Sequence, residues 1–188
     1  GSIMSASVRV TAWAGVASCA LLWALAPLVM RLVFGEEFRA AGEAFGLLVW
    51  SGGLVLASGN ARWMLVAGKR QGSLLAAQCV SAAVIIGLCF ILTPSLGAVG
   101  AAIASVAGAL ALWIVVHLRT RGLAARPGLA DNLPAAAAGI AAIGALTILK
   151  PDPLIGAAIA GAIMLAGMVL DARLLQSVRA LARAKSVS

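Results

Sequence analysis

The sequence contains little charge, and very little of that charge is acidic. Of its 188 residues, 63% are hydrophobic and 11% are charged, with only six acidic residues, a single histidine and no tyrosine. A soluble domain of this length has too small an interior to bury so much apolar surface, and it would expose patches that aggregate. The composition therefore excludes an ordinary soluble domain.

The sequence also lacks groupings of residues that could catalyse a reaction or bind a metal ion. Cys19, Cys79 and Cys89 lie inside apolar runs, where a free cysteine usually acts as a small packing residue. The six acidic residues all fall at predicted helix ends, no nucleophile lies beside a base, and no glycine-rich loop could hold a phosphate. We therefore predict no enzymatic activity, no metal site and no cofactor.

The net charge of +8 does not indicate binding to nucleic acid. The basic residues form short clusters between apolar runs, and no basic patch is interleaved with aromatic side chains that could stack on bases. Such clusters are typical of the loops that flank membrane spans. The expected partner of this surface is a lipid bilayer.

Long apolar runs fill the rest of the sequence, and runs of about 18 or more residues between charges indicate membrane-spanning helices. They predict an all-α fold, a polytopic transmembrane helical bundle with about six spans. The first four spans are expected near 8–34, 43–67, 73–92 and 98–118, and the last two end near 149 and 170. Pro27 should kink the first span, and Thr93–Gly97 should form a tight uncharged turn.

Composition divides the chain into four parts. These are a four-helix transmembrane part, a basic linker, a two-helix transmembrane hairpin and an amphipathic basic tail, at 1–118, 119–132, 133–171 and 172–188. Asp131 or Asn132 is expected to cap the first helix of the hairpin. The tail is expected to lie along the membrane surface.

The distribution of lysine and arginine predicts the orientation, because these residues accumulate on the cytoplasmic side. The predicted spans place ten of them at one set of ends and three at the other, which puts both termini in the cytoplasm. The ten are Arg9, Lys69, Arg70, Arg119, Arg121, Arg126, Arg173, Arg179, Arg183 and Lys185; the three are Arg31, Arg39 and Lys150. Trp13, Trp63 and Trp113 fall near the same inner ends, as an interfacial aromatic belt requires.

Small residues recur at four-residue spacing on two of the predicted helices. They are Gly100, Ala104 and Gly108 on one helix, and Gly156 with Ala160 and Ala157 with Gly161 on the other. Ridges of this kind let helix backbones approach one another closely in a membrane. We expect them to serve in packing.

The second predicted helix carries a polar stripe. At 100° per residue, Ser51, Ser58, Arg62 and Lys69 fall within about 40° of one another. Lipid would leave these groups unsatisfied, so the stripe should face a wet cavity or another helix. We predict a substrate pathway that contains Arg62, Ser58 and Ser51, together with Gln78 of the next helix. The alternatives are that Arg62 snorkels to the interface and that Gln78 hydrogen-bonds a neighbouring helix.

Three groups of short motifs follow one another within about residues 20–118. They are Pro27 with Leu32–Gly35 and Phe38–Ala41, then Ala67–Arg70, and then Thr93–Ala104. Together they resemble the C-terminal half of bacterial polysaccharide flippases, the lipid-linked oligosaccharide exporters of the multidrug/oligosaccharidyl-lipid/polysaccharide superfamily. The resemblance implies one lobe of a two-lobe transporter around a central cavity, with a second, N-terminal lobe missing from this chain. It also implies an undecaprenyl-pyrophosphate-linked sugar as substrate, received by cationic side chains.

Two other hypotheses remain open. The chain could be a six-helix half-transporter of another class that dimerises, or a membrane scaffold subunit without transport activity. A matching lobe encoded upstream would favour the flippase, a homodimer would favour the half-transporter, and the absence of any water-accessible polar face would favour the scaffold.

Overall fold

The computed structural model describes residues 2–120, 133–149 and 152–171, and in this part of the chain every regular element is a helix. Gly35, in the left-handed region with φ of 99°, ends the first helix and leads into a 3₁₀ helix. The elements are α1 Ser2–Phe34, the 3₁₀ helix Glu36–Ala41, α2 Gly42–Ala67, α3 Gln71–Arg119, α4 Leu133–Leu149 and α5 Pro153–Leu170.

Four helical stretches are long and apolar enough to cross a membrane. They are Val8–Phe34, Glu36–Ala67, Gln71–Arg119 and Pro153–Leu170, and the shorter α4 is also apolar. Large apolar side chains are exposed along all of them, including Phe90 and Leu170, as expected for helices that face lipid rather than water. The structure therefore confirms an all-helical, membrane-compatible bundle.

The longest helix, α3, folds back on itself at Gly97. This residue has φ of 57° and ψ of −133°, a backbone conformation that only glycine adopts readily. Ser81 donates a hydrogen bond to the carbonyl of Gly108 over 2.8 Å, so the two limbs of α3 lie side by side. The reversal occurs at one residue, because the helix continues through Pro94 to Leu96, whereas the sequence predicts a turn over Thr93–Gly97.

The predicted ridges of small residues form helix contacts. Gly100, Ala104 and Gly108 are buried. A Cβ atom added to Gly100 would lie 2.5 Å from the carbonyl oxygen of Leu92, so this ridge packs the second limb of α3 on the first. On α5, Gly156 and Ala160 are likewise buried. Small side chains at these positions permit the close approach of the backbones.

Helix α1 is the centre of the bundle. One cluster of buried residues joins α1 to α4 and α5, through Trp13, Ala20, Ala142 and Met164 among others. A second cluster joins α2 to α3, through Ala61, Leu65, Leu112 and others. The end of the bundle at which α1 begins is called the Arg9 end, and the opposite end, at which α1 stops, is called the Glu36 end.

Some predicted features lie outside the described residues. These are the cap at Asp131 or Asn132, most of the basic linker 119–132 and the amphipathic tail 172–188. Of the linker, Arg119 ends α3 and Thr120 follows it.

Candidate functional site

A buried ionic cluster joins α1 to the end of α5 at the Arg9 end. Arg9 donates from Nη1 to both carboxylate oxygens of Asp171, at 2.9 Å to Oδ1 and 3.0 Å to Oδ2. The indole Nε1 of Trp13 donates to Oδ2 of the same carboxylate over 3.0 Å. The Arg9 and Asp171 side chains are only 4% and 6% exposed. We call these three residues the Arg9 cluster.

Helix geometry explains why the three side chains meet. Arg9 and Trp13 are four residues apart on α1 and therefore share a face of the helix. Asp171 directly follows Leu170, the last residue of α5. Taking two charges out of water costs several kcal/mol per ion, and their attraction offsets this cost only when the geometry is good and further hydrogen bonds are made. Trp13 supplies such a hydrogen bond to the carboxylate.

The sequence did not predict this cluster. Arg9 and Asp171 are 162 positions apart. In the sequence, each looks like an unrelated charge that only marks where a membrane helix ends. The expectation that Trp13 belongs to an interfacial belt is wrong, because its side chain is buried against Asp171. Trp63 is 72% exposed, as a belt residue should be. The available signal was Asp171 itself, an acidic residue directly after an apolar helix at an end rich in cations.

The Glu36 end holds an open pocket of about 770 Å³ between α1, the 3₁₀ helix, α2, α4 and α5. Its position confirms that Glu36–Arg39 and Asp152 lie at one end of the bundle. The charged residues in its wall are Glu36, Glu37, Arg39, Glu43 and Asp152, and the uncharged ones include Trp23, Pro27, Leu146 and Thr147.

The charges of this pocket are only loosely paired. Glu36 lies 3.6 Å from Arg31 and 3.5 Å from Arg39, and these side chains are between 46% and 65% exposed. Exposed pairs of this kind contribute little to stability. Among the described residues no group of three or more histidine, cysteine or acidic side chains is arranged to hold a metal ion. The pocket is a wet, mixed-charge recess.

An apolar cavity of about 330 Å³ lies deeper in the bundle. Four helices form its wall, with Val16 and Cys19 from α1, Trp50 from α2, Trp113 from α3 and Ile140 from α4. Cys19 is buried, and its thiol donates to the carbonyl of Val49 over 3.3 Å. The indole nitrogen of Trp50 is buried without a hydrogen-bond partner in the described part of the chain. The cavity suits apolar groups rather than charged ones.

The predicted stripe on α2 does not lie in the wall of either recess. Ser58 is fully buried and donates to the carbonyl of Val55 in its own helix over 2.7 Å. It lies three residues before Ala61 and seven before Leu65, on the face of α2 that packs against α3. Ser51 similarly donates to the carbonyl of Leu48 over 2.7 Å. Both hydroxyls are therefore satisfied within α2.

The other two predicted residues differ in environment. Arg62 is half-buried and forms no hydrogen bond or ion pair with any described residue. It lies 40° around α2 from Ser58, at the border of the contact with α3. Gln78 is exposed on the first limb of α3. The structure thus places Ser58 in a helix contact and leaves Arg62 at the edge of that contact.

Comparison with protein-family models, with curated proteins and with solved structures gives no match for this chain. The resemblance of residues 20–118 to polysaccharide flippases therefore stays a prediction.

Proposed function

We propose that this chain is one lobe of a two-lobe membrane transporter that moves an undecaprenyl-linked oligosaccharide across a bacterial cytoplasmic membrane by alternating access. The observation that carries the proposal is Arg62, a half-buried cation without an ionic partner among the described residues, on a helix that carries no other charge from Ala44 to Ala67. The motifs within residues 20–118 supply the substrate class.

The cost of placing Arg62 on an apolar helix supports a functional role. A charged residue in a membrane span costs about 2.5–3.5 kcal/mol at the centre and less near the interface. Arg62 lies roughly 10 Å along α2 from Lys69, so snorkelling lowers this cost only in part. A pyrophosphate headgroup, or an acidic side chain of a second lobe, would supply the missing counter-charge. The arginine fork binds phosphate oxygens through two parallel hydrogen bonds.

Six membrane crossings follow if each apolar segment spans once and α3 spans twice. The reversal at Gly97 makes α3 a hairpin, and in this topology each of its limbs crosses once. Helix α4, with 17 residues, is at the lower limit of the length that spans a bilayer. With α1, α2 and α5 this topology places the Arg9 end, rich in lysine and arginine, in the cytoplasm. The 770 Å³ pocket then opens outward.

Cysteine labelling tests this topology. In a background without Cys19, Cys79 and Cys89, we expect cysteines at Glu37 and Asp152 to react with an impermeant thiol reagent in intact cells. A cysteine at Arg70 should react only after the cells are opened, because the positive-inside bias keeps that loop cytoplasmic. Labelling of position 70 in intact cells would contradict the orientation.

Photocrosslinking tests the substrate class. The purified chain in lipid nanodiscs is irradiated with a photoreactive undecaprenyl-pyrophosphate-linked sugar, in the presence of excess undecaprenyl pyrophosphate or of excess phosphatidylglycerol. We expect crosslinking that undecaprenyl pyrophosphate competes and phosphatidylglycerol does not. Equal competition by both lipids, or no crosslinking, would favour a scaffold subunit. Crosslinking confined to a homodimer would favour a dimeric half-transporter.

A further inference from the structure

We propose that Arg9, Trp13 and Asp171 form a latch that holds the α4–α5 hairpin against α1, and that releasing this latch lets the hairpin move away from α1. The inference concerns movement of helices and does not depend on the identity of the transported substrate. It rests on how the hairpin contacts the rest of the bundle.

The hairpin packs mainly on α1, and the contact consists largely of small residues. Ala135, Ala142 and Ala160 are buried there together with Met164. A Cβ added to Gly167 would lie 2.7 Å from the ring of Trp13, so α5 packs too closely on α1 at this position for a larger side chain. Lipid chains are as apolar as these side chains, so burying them in a membrane supplies little driving force. Close van der Waals packing and polar contacts therefore hold the hairpin, and a single substitution can remove the polar ones.

Those polar contacts differ between the two ends of the α1–α5 contact. At the Arg9 end, a buried carboxylate accepts hydrogen bonds from Arg9 and Trp13. At the Glu36 end, the start of α5 borders the open 770 Å³ pocket, and Asp152 forms no ion pair with any described residue. The hairpin is thus fastened at one end and loosely attached at the other.

Movement of the hairpin would widen the apolar cavity. Helix α4 forms one side of it with Ala136, Ile140 and Ile143, and Ile140 is 70% exposed, so this side is already partly open. The α2–α3 pair has its own buried cluster, which contains no residue of the hairpin. Displacement of α4 and α5 would uncover Ala20, which is fully buried in the cluster that α1 shares with the hairpin, and would leave the contact between α2 and α3 intact.

Ala20→Cys gives a reporter for this movement, because Ala20 is fully buried in the cluster that joins α1 to the hairpin. With Cys19, Cys79 and Cys89 replaced by alanine, the reaction of the thiol at position 20 with N-ethylmaleimide is timed for the full chain in nanodiscs. Trp13→Phe keeps an aromatic ring on α1 but removes one hydrogen bond to a charged group. We expect it to raise the labelling rate by about tenfold, and Asp171→Asn to raise it further.

Two controls distinguish a latch from general loosening. Arg39→Gln removes an exposed pair at the other end of the bundle and should leave the labelling rate at position 20 unchanged. Ala77→Cys, buried between α2 and α3, serves as a second reporter in place of position 20 and should stay protected in Trp13→Phe. An unchanged rate at position 20 in Trp13→Phe would overturn the latch. A parallel rise at position 77 would overturn it as well, since the Arg9 cluster would then stabilise the whole bundle.

Discussion

Replacing Asp171 with alanine is expected to cost about 3–5 kcal/mol of folding free energy, because it removes the carboxylate that neutralises a buried guanidinium. The side chain of Arg9 is 4% exposed, so water cannot readily replace the lost carboxylate. Trp13 would lose its acceptor at the same time. The free energy of unfolding of the purified chain in mixed micelles, followed by denaturant titration, measures this loss.

Two further variants complete this test. Arg9→Met combined with Asp171→Leu removes both charges and fills their space with apolar side chains. Most of the stability lost in Asp171→Ala should therefore return. Glu36→Ala breaks only exposed pairs and should change the free energy by less than about 1 kcal/mol. If Asp171→Ala lowered the free energy of unfolding no more than Glu36→Ala does, the Arg9–Asp171 ion pair would not stabilise the packing of α1 on α5.

Arg62→Ala is expected to abolish, or greatly reduce, export of the lipid-linked sugar by the complete two-lobe transporter, with membrane abundance near normal. A cation in a low-dielectric site attracts a pyrophosphate far more strongly than one in water. Arg62→Lys should keep part of the activity, because the charge remains while the planar fork is lost. In the nanodisc photocrosslinking assay we expect the crosslinking yield to fall in the same order, from the unmodified chain to Arg62→Lys and then to Arg62→Ala.

Snorkelling of Arg62 makes the opposite prediction. If the side chain only reaches the interface, export should tolerate both substitutions. Arg31→Ala is the matched control, since Arg31 is an exposed arginine with a carboxylate partner at the other end of the bundle. Wild-type export by Arg62→Ala, at equal abundance, would remove Arg62 from the substrate pathway.

The helices were predictable from the sequence because apolar runs and their interruptions are local signals. Gly35 ends α1 as expected, and the predicted second span, 43–67, agrees with α2 to within one residue. The ridge of Gly100, Ala104 and Gly108 also packs as its spacing predicts. These features depend on residues close together in the sequence.

The arrangement of the helices was not predictable in the same way. A soluble amphipathic helix reveals its buried face through its pattern, whereas these helices, apart from the polar stripe on α2, are apolar on every side and give no such indication. The contact of Arg9 with Asp171 joins positions 162 apart, and the 770 Å³ pocket joins five elements. The polar stripe on α2 marked Ser58 correctly as a residue facing something other than lipid, because Ser58 is fully buried and shares a face of α2 with Ala61 and Leu65, which pack against α3.

The reversal of α3 at Gly97 has a consequence for biogenesis. No lysine, arginine, aspartate or glutamate occurs between Gln71 and Leu118, so the turn carries no charge to retain it on either side of the membrane. The insertion machinery therefore meets one uninterrupted apolar segment with cations just outside both ends, at Arg70 and Arg119. In the proposed topology its two limbs enter the bilayer together as a pair, and the turn crosses during synthesis while the cations keep both flanks on the cytoplasmic side.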